Sequence, residues 1–315
     1  MSKAKLAVAL STLIAVTVVW AVPIAGTAHR LLRSSEVSDS PSGTRILGPI
    51  AFKESRGRGL LVRGWVNGTG PFTFAIDTGA GISLLSRSLV QRATLPLQRS
   101  RQTLVGGLTS GVIKSNEVAQ IREIALGSRT NALRTSFQAA VVPGLPAEID
   151  AVLDPTEAFK PLGYSIDLPQ GQLYVLDLNG SGPQLSASSP EGAIVKWVRQ
   201  PGDHRPFVRL GDGRIALLDT GSGFGLAISD SRSVGKQGDG TRVTRDLGGG
   251  AIQSRRVAPI TVSVGPLVLR NIPTDLLTGA AAGTPLILGR DALYPFRITF
   301  DPSSSLIAIE PSESN

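Results

Sequence analysis

The chain has 315 residues, a formal net charge of +8 and no cysteine, which excludes disulfides, thiolate metal sites and a cysteine nucleophile. With only His29 and His204, in contexts that read as structural or solvent-exposed, a conventional zinc site and a Ser-His-Asp triad are both disfavoured. The basic charge is scattered, densest at Arg56 and Arg58, Arg99 and Arg101, and Arg255 and Arg256, without interleaved aromatics, which argues against a nucleic-acid partner.

The first segment places Lys3 and Lys5 before an uncharged, mostly apolar stretch from Leu6 to Val22. Pro23 and the small residues Ala25-Gly26-Thr27-Ala28 follow. This pattern predicts a secretory signal over residues 1–28 with cleavage after Ala28, or an uncleaved N-terminal anchor as the alternative. The body of the protein is then exported, periplasmic or secreted, and any membrane attachment runs through that segment alone. Residues 29–45 are polar and aperiodic and read as a linker.

From Ile46 onward, 36 Gly and 21 Pro among plentiful Val, Leu and Ile predict many short strands joined by tight turns, an all-β fold. One plan is written twice. The first copy has an apolar strand in 70–86, a Gly-bearing turn in 104–115 and a strand pattern over 118–127. The apolar stretch Ile149-Asp150-Ala151-Val152-Leu153-Asp154 and a hairpin over 164–178 complete it. The second copy runs through 213–229, 246–256, 257–265, 285–293 and a hairpin over 296–310 in the same order. The polar stretch 180–192 separates them, so two lobes are expected, over 46–180 and 188–312.

Each copy sets Asp-Thr-Gly directly after an apolar strand: Ile76-Asp77-Thr78-Gly79-Ala80 and Leu218-Asp219-Thr220-Gly221-Ser222. An ionisable carboxyl ending a buried strand is costly unless it is hydrogen-bonded or used. The glycine two residues later permits a sharp turn and close approach of another backbone. Competing readings fail on detail. Gly221-Ser222-Gly223-Phe224-Gly225 lacks dinucleotide-binding spacing and a phosphate-binding lysine, and no G-x-S-x-G elbow is present.

On these two motifs, and on Ile287-Leu288-Gly289-Arg290-Asp291, the sequence from 46 to 311 resembles the aspartic peptidase superfamily, retropepsin-like and pepsin-like. The spacing between the motifs is short for a pepsin and suits two fused retropepsin-like lobes of a bacterial-type exported member. The resemblance implies two β-barrel lobes in one chain with the active cleft between them. It further implies endopeptidase activity through an Asp77–Asp219 dyad acting on a peptide or protein substrate, with no metal and no cofactor. The alternative is an inactive scaffold of the same fold that binds peptides or a protein partner.

The resemblance also implies that Thr78 and Thr220 bond across the two loops, with Gly79 and Gly221 beside them, and that the enzyme works as a monomer. Ser222, with Ala80 as its counterpart, is expected to bond an outer oxygen of Asp219 and make it the ionised member. Gly106 and Gly107, and Gly248 and Gly249, are candidate flaps, with ordinary hairpin turns as the competing reading. Two departures stand out: Asp154 occupies the place where the family has glycine, and residues 100–118 contain no tyrosine.

Overall fold

A computed structural model describes residues 44–55, 59–108, 112–146, 148–178, 185, 191–229, 237–245, 251–281 and 283–312. The expected signal segment and most of the linker lie outside these residues, as do Gly248 and Gly249. The fold is all-β, built from three sheets and a few one-turn helices. None of the described helices is long and apolar enough to cross a membrane.

In chain order, strands β1 (Thr44–Arg45), β2 (Ile50–Ala51), β3 (Lys53–Ser55), β4 (Gly59–Val66), β5 (Thr69–Ile76) and β6 (Leu84–Ser86) lead into helix α1 (Arg87–Arg92). Then come β7 (Leu97–Gly106), β8 (Val112–Leu126), β9 (Ala132–Val142), β10 (Ala151–Leu153), helix α2 (Pro155–Ala158), β11 (Gly163–Asp167) and β12 (Gln172–Asp177). The remainder comprises β13 (Ala193–Lys196), β14 (Val198–Gln200), β15 (Asp203–Arg209), β16 (Ile215–Asp219), β17 (Leu226–Ile228), β18 (Gln237–Arg245), β19 (Ala251–Val264), β20 (Leu267–Thr278) and β21 (Leu286–Gly289). Helix α3 (Arg290–Leu293), β22 (Phe296–Asp301) and β23 (Leu306–Pro311) end it.

Two eight-stranded sheets follow one order: β3-β4-β5-β10-β6-β9-β8-β7 in the first, and β14-β15-β16-β21-β17-β20-β19-β18 in the second. The first curls until β4 also pairs with β8 through Gly64–Leu126, Trp65–Ala125 and Val66–Ile124, closing a ring. The second is joined at the corresponding place by the single bridge Leu210–Val264. A third, seven-stranded sheet takes β1, β2, β11 and β12 from one part of the chain and β13, β22 and β23 from the other.

Local chemistry accounts for these elements. Asn67 (φ 47°) and Gly68 (φ 79°) form the two-residue turn between β4 and β5, the left-handed pair that suits a tight hairpin. The side chain of Asn67 then accepts from the N–H groups of Arg122 and Glu123 at 3.0 and 3.1 Å, tying this turn to β8. β5 and β16 are central strands covered on both faces, which explains the unbroken apolar runs Phe74-Ala75-Ile76 and Ala216-Leu217-Leu218. Alternation sends Phe74, Ile76 and Leu218 into the main core. Ala75 goes instead to a smaller cluster with Leu84 and Val152. Ile287 similarly joins Ala227, Ile252 and Leu277. In the third sheet Tyr164 stacks on Phe300 at 4.7 Å between centroids, and Trp197 meets the same ring edge-on.

Candidate active site

Asp77 follows the last residue of β5, and its N–H donates to the Leu153 carbonyl at 3.0 Å. Asp219 ends β16, opposite Gly289 in the parallel pairing with β21. Strand pairing therefore delivers both carboxyls at the ends of central strands. The two loops then interlock. Thr78 Oγ1 donates to the Leu218 carbonyl at 2.7 Å and accepts from the Thr220 N–H at 3.0 Å, while the Thr78 N–H donates to Thr220 Oγ1 at 3.2 Å. Both threonines are fully buried, so these bonds form away from competing water.

The glycines explain how the carboxyls come so close. A Cβ on Gly79 would stand 2.6 Å from Asp219 Cγ, and a Cβ on Gly221 would collide with the carboxyl of Asp77. Each aspartate thus packs against the other loop's glycine, which brings the two carboxyls together. Asp77 Oδ1 accepts from the Gly79 N–H at 2.8 Å, and Asp219 Oδ1 from the Ser222 N–H at 3.0 Å.

Ser222 therefore supports Asp219 through its backbone, correcting the expectation of a hydroxyl bond: its Oγ instead accepts from the Phe224 N–H at 3.3 Å. The turn that points the Ser222 amide at the carboxylate thus uses the hydroxyl to hold the next part of the loop. Gly106 ends β7, and exposed Gly107 follows it in the β7–β8 hairpin. At the end of that hairpin, the Leu108 carbonyl accepts from the Ala281 N–H at 3.0 Å. Leu108 also packs on the apolar cluster that includes Phe224 and Ile287.

Both aspartates keep part of their surface exposed, yet lost hydration dominates their titration. Burial pushes Asp77 well above the usual carboxylate range, and the charges of Asp219 and Asp154 push the same way against the Gly79 amide. Burial also raises Asp219, but the Ser222 and Gly221 amides, a hydrogen bond from Asp77 and the charge of Arg290 all oppose it. The opposing amides and Arg290 thus favour the charged form at Asp219 more than at Asp77.

Behind each aspartate stands a different residue. Leu153 pairs with Ile76 as Leu288 pairs with Leu218, so Asp154 stands in register with Gly289. A Cβ on Gly289 would strike the Phe224 carbonyl, and Arg290 carries the charge on that side. Arg290 Nη1 donates to the Thr220 carbonyl at 2.6 Å, and its Nε to Glu54 Oε1 at 3.0 Å.

Asp154 is fully buried as the N-cap of α2, its Oδ1 accepting from the Thr156 N–H at 2.9 Å. Its Oδ2 meets His204 Nε2 at 2.7 Å. His204 belongs to β15 of the second sheet, so this hydrogen bond joins the two halves of the chain. The hydrogen bond to Asp154 raises the His204 pKa against the desolvation that would lower it.

The sequence contained one signal for part of this. Asp154-Pro155-Thr156-Glu157 has a capping residue, proline at the first helical position and an acid in the first turn. The partnership with His204 had no local signal. Among the described residues, no group of three or more His, Cys, Asp or Glu is arranged to hold a metal ion.

No curated protein matches the chain. A family model described as aspartyl protease matches residues 62–154, from within β4 to Asp154, a span that holds Asp77-Thr78-Gly79 but ends before Asp219. By that match this segment is similar to the aspartyl proteases, and it supports an assignment to an aspartyl protease family and to protease-type hydrolysis at the level of the family.

Proposed function

We propose that the chain is an exported aspartic endopeptidase made of two fused retropepsin-like lobes that arose by internal duplication, with Asp77 and Asp219 as its catalytic pair. The supporting observation is the mutual placement of the two carboxyls, each held against the opposing loop's glycine. Two carboxyls this close share a proton and titrate as one coupled unit. Asp219, favoured as the anion by two amides and Arg290, takes a proton from a water molecule. The oxygen of that water adds to the scissile carbonyl carbon while Asp77 gives its proton to the carbonyl oxygen. The resulting gem-diol collapses as the proton held by Asp219 passes to the leaving nitrogen, the C–N bond breaks, and a hydroxyl proton returns to Asp77. The pair is then restored without a covalent intermediate.

The enzyme acts as a monomer on a peptide or protein substrate, since one chain supplies both aspartates. The test is hydrolysis of a quenched-peptide library from pH 3 to 7 by the mature protein, Asp77→Asn and Asp219→Asn. The expected result is cleavage by wild type and a loss of at least about a thousandfold in both variants, the scale on which general acid–base catalysis acts. Cleavage that survives in both would overturn the reading. A folded wild type that cleaves nothing would favour the peptide-binding scaffold.

A further inference from the structure

Asp154 is a buried carboxyl that the proposed chemistry does not use, lying close enough to Asp77 for its charge to act there. Its surroundings come from four elements. Within α2, Asp154 Oδ1 bonds the Thr156 amide, and Glu157 contributes a second carboxylate whose Oε2 accepts from the Ser83 N–H at 2.8 Å. From β11, the Tyr164 hydroxyl bonds Thr156 Oγ1 at 2.9 Å and faces the charge of Asp154. From β15 come His204, Arg205 and Asp203, of which the last two pair with each other at 2.6 Å. At the end of β5 stands Asp77, with Asp219 beyond it.

The only side-chain partner of Asp154 Oδ2 in this set is His204, and its ring is part-exposed to solvent. The opposite side of the dyad is unlike this one, because Arg290 there brings a permanent cation towards Asp219. The two aspartates thus have backgrounds of opposite sign, one anionic behind Asp77 and one cationic behind Asp219.

We propose that Asp154 and His204 are positioning residues for the dyad: the Asp154 carboxylate holds the working proton on Asp77, and His204 sets how much of that charge Asp77 feels. Its bearing on hydrolysis rests on the peptidase reading above; the electrostatic coupling itself does not. Removing the negative charge at Asp154 lets Asp77 ionise at lower pH. Removing the imidazolium at His204 leaves Asp154 less compensated, so Asp77 holds its proton to higher pH. In the native protein, His204 losing its proton as pH rises has that same effect. The pair therefore extends the acid form of Asp77 towards neutral pH.

The test uses the full mature protein with 13C-labelled aspartate carboxyls, titrated by NMR, and Asp77→Asn to assign the Asp77 signal. Asp154→Asn keeps an oxygen at the cap and the size of the side chain, so α2 retains its N-terminus. It is expected to lower the upper apparent pKa of the dyad by about one unit, the usual scale for a nearby like charge. His204→Gln, at a part-exposed site, is expected to raise the same step and remains readable if Asp154→Asn fails to fold. The basic limb of kcat/KM should move in the same two directions while the plateau stays within about threefold.

An upper step that stays in place in both variants overturns the proposal and leaves the pair as a structural tie, even if the peptidase is active. Opposite shifts of the carboxyl signal in a protein that cleaves no peptide would uphold the pair and remove the peptidase reading instead.

Discussion

Asp77 follows its strand at a half-buried position with a second carboxyl alongside, and this affects stability as well as chemistry. The folded chain binds the Asp77 proton more tightly than the unfolded chain, whose carboxyl titrates near the ordinary 3.8. The stability contributed by Asp77 is therefore whole below that value and is lost as pH rises through its raised native pKa. Asp77→Asn cannot ionise and escapes this loss. Its melting temperature should exceed that of wild type at pH 7 and match it at pH 3, as read by calorimetry at both values. An equal shift at both would assign the effect to packing. The neighbouring glycines admit no comparable freedom, since any side chain at 79 or 221 would occupy the space of the opposing carboxyl.

Helix α2 shows what an element of one turn can carry. It runs only from Pro155 to Ala158, yet it fixes Asp154 beneath the first Asp-Thr-Gly loop and Glu157 against Ser83. Asp154→Ala removes the cap and leaves His204 without its partner, whereas Asp154→Asn keeps the cap. The alanine variant should lose about 0.5–2 kcal/mol more than the asparagine variant in urea denaturation, the range for a lost N-cap. Equal losses would mean that capping contributes little here.

The strands and both Asp-Thr-Gly loops were legible in the sequence because apolar runs and turn residues are local. Asp154 was visible as a departure, but its meaning was not, because its partner His204 lies 50 residues away on another sheet. The Ser222 hydroxyl was misassigned for a related reason: a residue type does not reveal whether its amide or its side chain will face the carboxylate.

At the scale of the molecule, the third sheet joins the two parts of the chain through the antiparallel pairing of β11 with β22. Tyr164 and Phe300 stack within that seam, and Thr299 Oγ1 donates to Ser165 Oγ at 3.0 Å beside them. Phe300→Ala should lower stability by about 3–5 kcal/mol, as for other buried aromatics. Hydrogen exchange should show both eight-stranded sheets losing protection together. Loss confined to one sheet would show that the seam does not couple them.

The bond between the Leu108 carbonyl and the Ala281 amide also spans the two parts of the chain, and it is of another kind. A single neutral hydrogen bond is worth only about 1 kcal/mol, not far above thermal energy. It does not act alone: Thr284 Oγ1 reaches the same carbonyl at 3.5 Å, and Leu108 packs beside Phe224 and Ile287. The end of the β7–β8 hairpin is thus a clasp that one part of the chain forms and the other fastens.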